Sequence, residues 1–243
     1  MNKIPKKKYK KNAREVSLNV LGRVDGGAFA DILLNAELPD LELRERALAT
    51  ELVYGVLRWR VKIDWIIDSF SKIKSRKLER DVLNALRLGV YQLLFLTKIP
   101  VRAAINESVN LVGNKGRDKK KTGFVNAVLR HVSTGTVAFP VLKKEPEKYI
   151  SIVFSHPEWM VRRWIKRLGV RGTLALCQAG LALPTKTLRV NTEKNTREDL
   201  KKSLSEEGLI TEECSYSPDG LTLVDGKNLE SQDTLAPRSS LNP

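Results

Sequence analysis

A cysteine nucleophile needs positive charge or a helix N-terminus beside it to hold its thiolate. The two cysteines of this 243-residue chain lack that setting, because Cys214 follows Glu212-Glu213 and Cys177 follows a leucine. Both are expected to be structural, Cys177 buried on a helix and Cys214 half-buried on a strand. Neither belongs to a Cys-x-x-Cys pair, so zinc and iron–sulfur sites are not expected. His131 and His156 have no partner at ligand spacing; His156 should lead into a helix at Pro157, and His131 should add to a basic helix end. Asp64 and Asp68 stand one helical turn apart around Trp65, a spacing that predicts a solvated face rather than an acid–base pair. Gly26-Gly27 is no dinucleotide loop. These residues predict no catalytic, metal or cofactor site.

The chemistry that remains is ionic. The net charge of +15 lies in three runs: residues 1–14 carry +7, residues 72–80 carry +4 and residues 115–121 carry +4, which leaves the rest of the chain neutral. Such compact runs suit a polyanion whose phosphates they neutralise, whereas a solubility surplus would be scattered. Blocks of this kind can also be solvated loops. A membrane surface would want large apolar residues opposite the lysines, and residues 1–14 offer only Ile4 and Tyr9. Nucleic acid is therefore favoured. The phosphate candidates are Lys6, Lys7, Lys8, Lys10, Lys11 and Arg14; Lys74, Arg76 and Lys77; and Lys115, Arg117, Lys119, Lys120 and Lys121. Tyr9 is the best stacking candidate near them. The scarcity of aromatics predicts backbone and shape contacts over base reading. Arg162, Arg163, Lys166 and Arg167 around Trp164 form a further basic segment.

The elements that must carry these cations are mostly helices. With 42% hydrophobic residues the chain can bury a sizeable core, and its length allows two domains. Val16, Val20 and Val24 share a face of a first helix, and residues 28–37 give a second that carries Ile32 and Leu33. Pro39-Asp40 breaks the chain before a third helix that reaches about Trp59. Gly55 inside it is expected to permit a close helix crossing. Ile63, Ile67 and Phe70 mark a fourth helix. Val82, Leu86, Val90 and Leu93 mark the next, and Ile105, Val109 and Val112 another that begins near Pro100; Val125, Leu129 and Val132 close the bundle.

Beyond Ser133-Thr-Gly-Thr136 the texture changes. Helices are expected over residues 157–168, with Gly169 as a stop, and over 174–183. Then come a strand at 187–191, a helix opened by a Thr196–Asp199 capping box and ended at Gly208, and strands at 209–214 and 221–224 around Pro218-Asp219-Gly220. Strand, helix, strand, strand begins a ferredoxin-like or RRM-like unit. A second helix and fourth strand should follow Val224, so the unit reads as incomplete.

Leu86-Arg-Leu-Gly-Val-Tyr-Gln-Leu-Leu-Phe-Leu96, the Ala104-Ile-Asn-Glu-Ser-Val109 segment and Gly123-Phe-Val-Asn-Ala-Val-Leu-Arg130 together resemble the NusB-like RNA-binding domain. With Glu51-Leu-Val-Tyr-Gly-Val-Leu-Arg58, Ser155-His-Pro-Glu-Trp-Met160 and Leu188-Arg-Val-Asn191, the resemblance is to the RsmB (Sun) family of ribosomal RNA cytosine-5 methyltransferases, over about residues 12–225. It implies a mainly α fold, a NusB-like all-α bundle followed by a small, incomplete α+β subdomain. The expected divisions are a basic tail at 1–14, the bundle at 15–135, a linker at 136–148, helices with the RRM-like subdomain at 149–228, and a disordered or truncated end at 229–243.

The family resemblance also implies a function. In NusB-like domains RNA lies on a basic surface built largely by the N-terminal region, which directs attention to Lys10, Lys11, Asn12 and Arg14. The family's adenosylmethionine-binding Pro-Gly-Gly-Lys loop and its cysteines after proline and after threonine do not occur here. No cofactor is expected in this chain, although S-adenosylmethionine serves the complete family enzyme. The expectation is an RNA-holding portion of a 16S rRNA methyltransferase, partnered by small-subunit RNA and a separate or missing catalytic domain. The alternative is a NusB-type antitermination adapter, which would end soon after the bundle. No apolar run reaches the ~18 residues of a membrane span, and a cytoplasmic location is expected. Glu107 and Asn126, polar residues within the family-like segments, are expected to tie helices together through Arg87 or Arg130 in preference to touching RNA.

Overall fold

A computed structural model describes residues 12–113, 118–182 and 185–225. Contacts divide the chain into two units, Met1–Leu181 and Ala182–Pro243. The first holds nine of the helices among the described residues. They are α1 (Ala13–Val24), α2 (Ala30–Glu37), α3 (Leu43–Arg58), α4 (Arg60–Phe70), α5 (Arg80–Phe95), α6 (Val101–Val112), α7 (Lys119–Thr134), α8 (Pro146–Val153) and α9 (Glu158–Leu181). Short 3-10 turns at Leu38–Asp40 and Ser75–Lys77 lead into α3 and α5.

α5 is the axis of the bundle. The expected stripe is present, but Ala85, Leu88 and Tyr91 are buried as well, so α5 is enclosed on most of its circumference by α1, α3, α4, α6 and α7. The core continues through Val16 and Val20 of α1, Leu52 and Val56 of α3, Ile63 and Ile67 of α4, and Val125 and Leu129 of α7. α2 turns Leu33 and Leu34 inward and leaves Ile32 63% exposed. Two adjacent leucines half a turn from Ile32 outweigh it in choosing the buried face. Gly55 serves the expected close crossing, since a Cβ there would overlap the Tyr91 ring.

Polar bonds fix the helix order. Arg87, 4% exposed, makes a two-pronged ion pair with Asp64, Nε–Oδ1 and Nη2–Oδ2 both 2.8 Å. Its Nη1 donates to Asn84 Oδ1 at 2.9 Å and to Asp25 Oδ2 at 3.3 Å, and Arg60 Nη2 meets Asp25 Oδ1 at 2.6 Å. Two cations and two anions thus join the end of α1, α4 and α5 without net charge. Asp64 is therefore no solvated acid, and Asp68 accepts the Ser75 N–H at 2.5 Å to hold the turn before α5. The sequence expectation for this pair fails because each acid finds a partner on another segment. Arg87 is consequently unavailable to Glu107, for which the described residues provide no hydrogen bond or ion pair; Asn126 accepts from Arg130 Nε within α7 at 3.2 Å and joins no second helix.

α8 and α9 belong to the same unit as the bundle. Ser155, with φ 57°, accepts the N–H groups of Val61 and Lys62 at 3.0 and 3.4 Å, capping the start of α4 from 94 residues away. The preceding segment is attached too, because Trp65 Nε1 donates to the Ala138 carbonyl at 3.2 Å. In α9 the helical path is interrupted at Gly169, φ 68° and ψ 175°, the residue expected to stop it.

The second unit contains β1 (Lys186–Arg189), α10 (Arg197–Glu206), β2 (Ile210–Glu213) and β3 (Gly220–Asp225). The sheet order is β1-β3-β2, both pairings antiparallel, with a register shift at Ile210/Thr211. Thr196 caps α10 as expected, its Oγ1 accepting the Asp199 N–H at 3.2 Å. Val190, Leu200, Leu204, Leu209 and Leu221 form the small core. The fold is mainly helical with a small antiparallel sheet, as the sequence predicts.

Candidate nucleic-acid interface

α1 and α5 run in opposite directions, and this sets where the cations lie. Arg14, near the start of α1, donates from Nε to Gln92 Oε1 at 2.7 Å, whereas Asp25 at the end of α1 meets Asn84 and Arg87. Arg14, the last cation of the N-terminal basic run, therefore lies at the C-terminal end of α5. At the other end, Lys121 Nζ pairs with Glu79 Oε2 at 2.6 Å and Asp81 Oδ2 at 3.3 Å, which sets the start of α7 beside the start of α5. Asp81 and Gln92 are separated by about 16 Å of helix rise. The described residues of two basic runs meet, and Arg14 of the third lies a helix length away.

At the meeting end, Arg76, Lys77, Lys119 and Lys120 are exposed. Lys74 is exposed as well and donates to the Asp68 carbonyl at 3.1 Å. Lys121 is partly neutralised, and its hydrogen bond to Glu79 is the first cause of a raised pKa. At the tail end, Asn12 is a helix cap: its Oδ1 accepts the Glu15 N–H at 2.9 Å, and Glu15 Oε2 accepts the Asn12 N–H at 3.2 Å. Asn12 thus orients the chain entering α1 from the basic tail. Lys7, Lys8, Lys10, Lys11, Lys115 and Arg117 lie outside the described residues.

Of the remaining candidates Arg163, Lys166 and Arg167 are exposed, whereas the others are engaged within the fold. Trp164 is half-buried and makes a T-shaped contact with His156, ring centroids 5.4 Å apart. Arg162 is held by Glu147 and Glu158 at 3.1 and 2.9 Å, which raises its pKa, Glu147 being the larger cause. His156 Nδ1 lies 2.6 Å from the Phe154 carbonyl. Cys177 is buried, and burial raises its pKa, opposite to what a nucleophile requires. Among the described residues no group of three His, Cys, Asp or Glu could hold a metal, and no helix is long and apolar enough to cross a membrane.

Adenosylmethionine does not fit what is present. Nucleotide-type cofactors sit where a strand of a parallel sheet turns through glycines into a helix. Here the described sheet is antiparallel, and the connection from β1 to α10, residues 190–196, contains no glycine. Sequence reasoning missed Arg102 and Arg130 as surface cations; they are 28 residues apart and come together only where α6 and α7 pack.

The comparisons agree with this geometry. Residues 11–134 match the NusB family, and residues 156–230 match the RsmF/B-like methyltransferase ferredoxin-like domain. The chain is 34% identical over 221 residues to the probable ribosomal RNA small subunit methyltransferase B of Bacillus subtilis strain 168, covering 89% of this chain and 49% of that protein. It is 30% identical to ribosomal RNA small subunit methyltransferase B of Pseudomonas putida, covering 88% of this chain and 48% of that protein. The chain thus spans about half the length of these relatives. The crystal structure of PH0851 shares the fold over 93% of this chain and 52% of its own, with a TM-score of 0.65 and 15% identity. The chain belongs to the NusB family, in the form where a NusB-type bundle is followed by the ferredoxin-like domain of RsmF/B-like methyltransferases.

Proposed function

We propose that this chain is the RNA-holding part of an adenosylmethionine-dependent cytosine-C5 methyltransferase of small-subunit ribosomal RNA, working in the cytoplasm. The observation that carries the proposal is the NusB-type bundle with cations at both ends of α5, joined to a ferredoxin-like unit. The bundle binds phosphates, and the target cytosine is delivered to catalytic groups that the described residues do not supply. An adapter role leaves residues 156–230 without a purpose.

The tail is the strongest single contributor expected. Residues 1–11 contain six lysines, and each phosphate contact on single-stranded RNA contributes about 0.7 to the slope of log K against log[salt]. A chain lacking residues 1–11 keeps the Asn12 cap. It should bind a small-subunit rRNA fragment more weakly, with a slope shallower by up to about 4. Failure of the intact chain to bind that RNA at low salt overturns the reading; an unchanged slope removes the tail from the interface.

A further inference from the structure

The start of α6 and the end of α7 enclose a groove of about 670 Å³ whose polar lining is Arg102, Asn106, Arg130, His131, Ser133 and Thr134, with Ile105 as an apolar wall. No acid lines it. α7 contains neither Asp nor Glu, and the one acid of α6, Glu107, is not part of the lining. Arg102, Arg130 and His131 are exposed and form no ion pair among the described residues. The one side-chain partner of Arg130 is the neutral Asn126 amide.

The two helix ends here carry opposite partial charges. α6 begins after Pro100, which has no side-chain cap to accept the N–H groups of the first turn, so a half-positive charge faces outward. α7 ends here with its half-negative charge, but its last carbonyls are answered within the chain. The Ser133 and Thr134 hydroxyls donate to the Arg130 carbonyl at 2.8 and 3.2 Å, and the Gly135 N–H donates to the His131 carbonyl at 2.8 Å. The partial charges roughly cancel, and the full charges of Arg102 and Arg130 decide the sign.

Position supplies the occupant. Residues 96–100 connect α5 to α6, a reach of at most about 21 Å, and α6 packs back along α5, so α6 starts towards the end of α5 where Gln92 holds Arg14. The volume lies in the range that accommodates a nucleotide-sized group, and guanidinium forks match phosphate oxygens two at a time. We propose that this groove is a phosphodiester subsite for RNA at the same end of the bundle as Arg14, with Arg102 and Arg130 gripping the phosphate and Ile105 backing the attached nucleoside. The proposal rests on the RNA-holding role above and adds a built site to it.

The test uses the full chain and the same small-subunit rRNA fragment over a salt series. R102Q/R130Q should lower the slope by about 0.7, the value for the one phosphate that the pair holds. R102K/R130K keeps both charges and should retain the slope while binding about tenfold more weakly, because the forks are lost. Both positions are exposed, so unchanged melting curves verify the fold. If the intact chain binds and R102Q/R130Q leaves slope and affinity unaltered, the groove is not a subsite although the RNA reading stands. A lysine pair that binds as tightly as arginine shows only diffuse charge and also overturns the proposal. If the intact chain binds no RNA, the role on which the groove depends has itself failed.

Discussion

The two ends of α5 present the same kind of charge in different company. Where α5 and α7 begin, Lys121 is met by Glu79 and Asp81, and the flanking lysines share a surface with those acids. Where α5 ends, the nearby acids are committed elsewhere: Glu15 caps α1, Glu45 accepts the Ala13 N–H at 2.6 Å, and Glu51 accepts the Tyr91 hydroxyl at 2.5 Å. Arg102 and Arg130 are left facing solvent without an acid. A count of lysines and arginines ranks the ends by number; the structure ranks them by what each cation already holds.

The greatest effect on this contrast should come from Arg87, between the two ends. R87A leaves Asp64 and Asp25 in a mostly buried site with less positive charge, and breaking such a pair costs about 3–5 kcal/mol. Denaturant unfolding should show that loss; a change under about 1 kcal/mol would mean that the network does not hold α1, α4 and α5 in register.

A second measurement probes the tail end by pH. Tyr91 has its pKa raised above the ordinary 10.0 by burial first and by the hydrogen bond to Glu51 second. Its folded form therefore retains the proton more tightly than the unfolded chain does. The associated stability is complete below about pH 10 and is lost as pH rises through the folded pKa, with a slope of at most about 1.4 kcal/mol per pH unit. Lysine titrations are common to both proteins, so the difference between wild type and Y91F isolates Tyr91. Parallel stability curves above pH 10 would exclude it.

The mildest intervention makes the loop end resemble the tail end. E79Q/D81N removes the partners of Lys121 and should raise RNA affinity a few-fold, with a slope steeper by about 0.7 for one freed contact. No gain would show that RNA avoids this end of the bundle.

Local grammar was easy to read in the chain. Apolar spacing marked the helices, Gly169 and the Thr196 cap marked boundaries, and Gly55 foretold a close crossing. What escaped depends on partners far along the sequence. Asp64 looked like a solvated acid because Arg87 is 23 residues away, and Asp25 and Arg87 are separated by 62. The family resemblance indicated the NusB-type bundle and the ferredoxin-like unit. It did not indicate which basic runs meet, because that follows from the antiparallel course of α1 and α5. The α6–α7 groove was equally hidden, since its cations come from opposite ends of a helical hairpin.

Gly55 and Tyr91 have a consequence for how such sequences can drift. The ring fills the space that any side chain at position 55 would occupy, so a larger residue there is tolerated only after position 91 has shrunk. Tyr91 in turn can shrink alone only by leaving a void against α3. The two positions form a ratchet in which the order of substitution matters. Lineages that have exchanged both will have passed through a less stable ancestor.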